Sequence, residues 1–228
     1  MRRHQGAACD DSWYFRAKRK LDIRWNELAS RDNDHCRSSR MAVIMDLDVN
    51  SLADRAAVFI DGAYLTKILD VDFGKPKIDL ARFSDILCGN YERLRTYYYN
   101  CMPYQSCPST DEESRRFASM DKFVYTLRKL PRFEVKLGRL GRVGGEFVQK
   151  RVDIALAADL VRLSCGRMIG KAVIVTGDSD FLPAIEAAKD AGVLVTLFYS
   201  ESSIHDELLS AVDERTPIDQ DLIDLVAR

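Results

Sequence analysis

Asp178 and Asp180 stand one residue apart in Thr176-Gly177-Asp178-Ser179-Asp180, directly after the β-branched run Val173-Ile174-Val175. Two carboxylates about 5 Å apart at an effective dielectric of ~20 repel by roughly 3 kcal/mol. A divalent cation between them removes that cost. Oxygen-only donors suit Mg²⁺ or Mn²⁺. The chemistry to look for is therefore metal-assisted, and more carboxylates should arrive at the same place.

The preceding run reads as a buried parallel strand that empties into a loop at its carboxyl end, the edge where open α/β sheets bind ligands. Asp61 ends a second such run, Val58-Phe59-Ile60-Asp61-Gly62, and is predicted at the same edge. Gly62 permits a sharp turn there. An aspartate after a strand is also a common helix N-cap, and both roles stay open for Asp61. Asp153 opens a helix whose core stripe includes Leu156, Leu160 and Leu163. At ~100° per residue it falls within that stripe, and a carboxylate on a buried face needs a partner. Side chains lean toward a helix N-terminus, which aims Asp153 at the sheet edge. Asp159 is expected on the polar side, as a surface pair with Arg162, with support of the site from behind its ligands as the lesser alternative. Asp61, Asp153, Asp178 and Asp180 thus converge from three segments, an arrangement that capping alone does not explain.

Strand and helix patterns alternate from Ala56 onward. Strands are expected at 57–60, 92–101, 133–137, 171–176 and 193–199, and helices at 62–69, 80–88, 111–130, 151–165, 179–190 and 203–212. Such alternation implies an α/β fold with a mostly parallel central sheet covered on both faces. Gly192 reads as a helix stop. Tyr97, Tyr98 and Tyr99 read as half core rather than base-stacking residues. Gly138, Gly141, Gly144 and Gly145 mark a loop. Residues 1–54 differ from the rest, with ten Lys/Arg against six Asp/Glu in 1–40. They form an extension, disordered or partly helical: Tyr14, Ala17, Leu21, Trp25 and Leu28 fit one amphipathic helix. Met41 and Met45 leave open that this stretch precedes the true start. Residues 216–228 are expected to be a tail.

Net charge is −1, but residues 128–151 hold eight Lys/Arg against two Asp/Glu. Lys150 and Arg151 flank Asp153, and Arg139 and Arg142 sit on the glycine-rich loop. A basic loop beside an acidic metal site suits the backbone of a single-stranded nucleic acid. Thr176, Ser179 and Tyr64 join these four as expected substrate contacts. The loop is not a P-loop, since GxxxxGK[ST] is absent. His205 is expected at the surface of a late helix start, so no Ser/His/Asp arrangement competes. Six cysteines without CxxC spacing and three scattered histidines make no zinc signature. They read as reduced thiols in a cytoplasmic protein. No apolar run reaches the ~20 residues of a membrane span, and the N-terminus has no apolar core of signal-peptide type.

Three segments, VFIDGAYL (58–65), KRVDIALAADL (150–160) and KAVIVTGDSDFLPAIEAAKDAGVLVTLF (171–198), resemble in order and spacing the NYN domain, a branch of the PIN-like nuclease superfamily. The resemblance covers about residues 56–215. It implies a PIN-like three-layer sandwich. It also implies one or two Mg²⁺ or Mn²⁺ ions held by Asp61, Asp153, Asp178 and Asp180 for endonucleolytic cleavage of RNA, single-stranded or structured. The family pattern usually places asparagine after the first aspartate, as DGxN. Here Tyr64 takes that place, and a tyrosine can stack on a base. A non-catalytic module that binds RNA or protein is the alternative, and a homodimer or protein partner stays open. Ile44-Met45-Asp46-Leu47-Asp48 imitates a haloacid-dehalogenase-type phosphatase strand. Only eight residues separate Asp48 from the next strand, too few for a crossover helix.

Overall fold

Parallel neighbours in a sheet need crossover connections, and short β-branched runs separated by amphipathic helices supply them here. The structure, a computed structural model, describes residues 53–143, 146–150 and 152–228, with the backbone alone described over 139–150. The N-terminal helix expected over 14–28 and the Asp46–Asp48 strand lie outside the described residues.

The chain runs β1 (Arg55–Asp61), α1 (Gly62–Val71), α2 (Leu80–Cys88), β2 (Glu92–Cys101), α3 (Asp111–Arg128), β3 (Phe133–Val143) and β4 (Glu146–Lys150). It continues through α4 (Val152–Cys165), β5 (Lys171–Val175), a 3₁₀ turn (Ser179–Phe181), α5 (Leu182–Asp190) and β6 (Leu194–Tyr199). It ends with α6 (Asp206–Ala211), β7 (Glu214–Pro217) and α7 (Gln220–Val226). The sheet order is β4-β3-β2-β1-β5-β6-β7, parallel throughout except for β4. Strands step outward from β1 through β2 and β3 on one side, and through β5, β6 and β7 on the other. The order therefore reverses between β1 and β5, and such a reversal opens a crevice beyond the carboxyl ends of those two strands.

Alternation along each strand builds two cores. Ala57, Phe59, Tyr97, Tyr99, Ala172, Ile174, Val195 and Leu197 face Leu156, Leu160 and Leu163 of α4 and Ile185 of α5. Ala56, Val58, Ile60, Tyr98, Val173 and Val175 face Leu65 and Ile68 of α1, Phe83 and Leu87 of α2, and Leu127 of α3. Burial on both faces is why these strands read as continuous apolar runs. The result is the three-layer α/β sandwich that the alternation implies. Tyr97, Tyr98 and Tyr99 are all buried. No helix among the described residues is long and apolar enough to cross a membrane.

Three expectations need correction. Residues expected as a glycine-rich loop form an antiparallel ribbon instead: β3 continues five residues past its last pairing with β2, at Gly138, and pairs with β4. The partner strand carries Phe147 and Val148, residue types that favour a ladder over an open loop. The helix expected from residue 179 opens as the 3₁₀ turn, and α5 starts only at Leu182, with proline in its first turn. The expected tail beyond 215 belongs to the sandwich, since Ile218, Ile223 and Val226 are buried in the second core. Its segments are short and separated by a proline, so no long period announces them. Gly192 does stop α5: it takes φ +83° and donates its N–H to the Lys189 carbonyl at 2.8 Å. Because Ile223 is core, Ile223→Ala should cost about 2–5 kcal/mol in urea unfolding, where a loose tail would lose nothing measurable.

Candidate active site

Asp61 ends β1 and also caps α1. Its Oδ1 accepts the backbone N–H groups of Ala63 at 3.0 Å and Tyr64 at 3.1 Å. The cap engages one carboxylate oxygen, so capping and ligation are compatible at this residue. Glycine is required next. A Cβ on Gly62 would lie 2.5 Å from the Tyr98 ring.

β5 delivers its carboxylates by a similar device. The Asp178 N–H donates to Thr176 Oγ1 at 3.3 Å, and the Asp180 N–H donates to Asp178 Oδ1 at 2.9 Å. Asp178 thereby caps the 3₁₀ turn and sets Asp180 one step beyond it, exposed. Gly177 permits a close passage, since a Cβ there would lie 2.4 Å from the Ser203 carbonyl oxygen and 2.5 Å from the Tyr64 ring. Asp153, in the first turn of α4, is partly buried.

The four carboxylates are near enough to act on one another. Burial pushes the Asp61 carboxyl above its ordinary range, against the two backbone hydrogen bonds, and the charges of Asp153 and Asp178 add to the push. Burial likewise raises Asp153, joined by Asp178 and Asp180. A site that resists its own negative charge favours a bound cation. The donors are all oxygen, which fits a hard ion such as Mg²⁺ or Mn²⁺. Among the described residues, no three His, Cys, Asp or Glu side chains close on a common point as they stand.

Two expected substrate contacts take other roles. Tyr64 is only 8% exposed. Its hydroxyl donates to the Ser203 carbonyl at 3.0 Å and accepts the Ser200 N–H at 2.9 Å. It cannot stack on a base, because it holds the loop after β6 against α1. Thr176 is wholly buried and shapes the turn that carries Asp178. Ser179 is partly exposed between the two aspartates. Arg139 is in register with Lys150, and Arg142 with Phe147, on the ribbon that leads into α4. Their side chains and Arg151 lie outside the description. His205 is exposed ahead of α6.

Asp159 also needs correction. It is 5% exposed and accepts from Tyr99 Oη at 2.8 Å, Lys136 Nζ at 2.5 Å and Arg162 Nη2 at 3.1 Å. The pair with Arg162 exists, but as the outer limb of a buried cluster. The missed signal was Tyr99: a tyrosine in a doubly buried strand needs an acceptor for its hydroxyl.

The model of the NYN domain family matches residues 55–219. The chain belongs to that family. NYN domains form a nuclease-like, PIN-like family. This NYN domain is 38% identical over 64 residues to the uncharacterized protein y4oD of Sinorhizobium fredii (strain NBRC 101917 / NGR234). That match covers 28% of this chain and 29% of the relative. In fold it is similar to VPA0982, a protein of unknown function from Vibrio parahaemolyticus RIMD 2210633. The TM-score is 0.53 at 18% identity, covering 73% of this chain and 94% of that one.

The raised carboxyls fix a pH dependence. A carboxyl whose folded pKa lies above its unfolded value holds its proton more tightly when folded. Stability is then greatest at low pH, and falls as pH rises from about 3.8 through the folded value. Asp61→Asn keeps the cap acceptor and removes the charge. In chelator at about pH 7 it should raise the thermal midpoint and flatten the decline above pH 4. A lower midpoint for the variant would contradict the electrostatic account.

Proposed function

We propose that this NYN domain is a metal-dependent endoribonuclease whose metal ligands are Asp61, Asp153, Asp178 and Asp180. The observation that carries the reading is the mutual opposition of these carboxylates at the sheet's switch point. Carboxylates that raise one another's pKa are a liability unless a cation or proton is part of the working state. The substrate class rests on the family and on the basic ribbon.

The ion, when bound, supplies a nucleophilic water at neutral pH and polarises the phosphoryl oxygen. The chain's own residues do the rest. Asp61 presents the carboxylate oxygen its cap leaves over. Asp178 and Asp180 enter from the opposite side of the crevice, spaced by Ser179, which we assign to a phosphate oxygen because it is partly exposed between them. Thr176 holds this turn in shape. Arg139, Arg142, Lys150 and Arg151 supply positive charge along the ribbon and attract the RNA backbone without reading its bases. Thiols at Cys88, Cys107 and Cys165 suit a reducing compartment, and we assign the protein to the cytoplasm. A second reading, a binding module that does not cut, draws on Tyr64 standing where the family resemblance leads one to expect asparagine.

With Mn²⁺ or Mg²⁺, the wild type should cut internally labelled single-stranded RNA, and chelator should abolish the cut. Asp178→Asn should lower the rate by at least about 100-fold, the upper end of what loss of an outer-shell partner costs. Equal RNA binding with metal or chelator, and no cleavage of any substrate, would establish the binding module instead. The ribbon is tested separately. Losing two phosphate contacts on a single strand should reduce the slope of log K against log salt by about 1.4. Arg139→Ala with Arg142→Ala should show that change, and an unaltered slope would remove these residues from the interface.

A further inference from the structure

Asp61, Tyr99 and Lys136 are register partners across β1, β2 and β3, and so form one row near the carboxyl edge of the sheet. Tyr99 and Lys136 both end on Asp159 of α4, at 2.8 and 2.5 Å. Arg162 adds a third donor from the same helix, at 3.1 Å. Asp159 thus joins α4 to two neighbouring strands, one of them paired directly with the strand that carries Asp61. Burial pushes the Asp159 carboxyl up, but the bonds from Lys136, Tyr99 and Arg162 outweigh it and hold the group below its ordinary range. Lys136 also lies 3.5 Å from Glu134 and 5.5 Å from the Tyr97 ring centroid.

A buried ion pair adds little net stability over apolar packing of the same volume. What it adds is a fixed relation between the elements it joins. Asp159 is six residues beyond Asp153, about 9 Å along the helix axis. Leu156 and Leu160 press α4 onto the sheet through non-directional apolar contacts, whereas the hydrogen bonds to Asp159 are directional. The charged cluster adds contacts of defined length and angle between the helix and two strands. It also reaches the base of the ribbon, since Lys136 lies two residues before Gly138, the last residue of β3 paired with β2.

We propose that Asp159 is a positioning residue, which through Tyr99 and Lys136 fixes the first turns of α4 so that Asp153 stands opposite Asp61. This inference rests on the reading of Asp153 as a metal ligand only for its functional consequence. Its mechanical content is independent of that reading.

The test compares the wild type, Asp159→Asn, and Asp159→Asn with Lys136→Met, which leaves no stranded ammonium if the single variant folds poorly. Hydrogen exchange in the folded protein should quicken about tenfold over residues 152–158 and stay unchanged over 171–175. Direct titration with Mn²⁺ should show a loss of affinity of about tenfold or more, within the range that outer-shell partners produce. Uniform acceleration over both segments, or none, would overturn the proposal, because a merely stabilising residue acts on the whole unit. So would local acceleration with undiminished Mn²⁺ affinity. If the wild type binds no Mn²⁺ while exchange quickens only at 152–158, the positioning role stands and the nuclease reading falls.

Discussion

The reversal of strand order between β1 and β5 is the constraint on which the molecule turns. On either side of that reversal, consecutive crossovers run the same way. Between β1 and β5 they diverge, α1 to one face and the helices after β5 to the other, and the edge stays open. Charged groups are kept only where water or an ion can reach them or where, as at Asp159, the protein supplies partners. The open crevice is the place in this sheet where four carboxylates can be kept.

Within the crevice, local backbone chemistry does the aiming. Asp61 and Asp178 each leave a strand and each caps the turn that follows. A cap fixes a carboxylate's rotamer through backbone N–H groups that need an acceptor in any case. Ligand geometry is thus set by the same bonds that start the helices. The two readings of an aspartate after a strand, cap or ligand, are not rivals here. The cap is what makes the second oxygen's position definite.

Much of this was legible beforehand, and the exceptions have physical causes. The apolar runs at 57–60 and 171–176 read as doubly buried strands, which puts the aspartates after them at one edge. Asp153 was placed by helical periodicity. The same rule sets Asp159 beside the buried stripe rather than opposite it. At ~100° per residue it lies about 60° from Leu156, as Asp153 does on the other flank. The nearby Arg162 suggested a solvent-exposed pair, but an exposed arginine can reach inward to a buried acid along its apolar stem. Tertiary partners decided the matter, and Tyr99 and Lys136 lie 60 and 23 residues away in sequence. The ribbon was missed for a related reason: its ladder joins β3 to a strand that no apolar alternation marks. β7 and α7 are too short for any period to show, and their core residues gain meaning only against α1 and α2.

Tyr64, where the family pattern carries asparagine, shows how a departure is absorbed. Its ring occupies the space a side chain at 177 would need, and its hydroxyl bridges Ser200 and Ser203 in the loop after β6. Tyrosine at 64 and glycine at 177 are therefore one choice made at two positions. Asparagine at 64 would leave a void beside Gly177 and two backbone groups of that loop without their partner. A larger residue at 177 would drive the ring out and free the loop. The carboxylates themselves are untouched by the exchange, because Tyr64 contributes to their setting only a backbone N–H, which any residue but proline can donate. The substitution alters what bounds the crevice and leaves what lies in it.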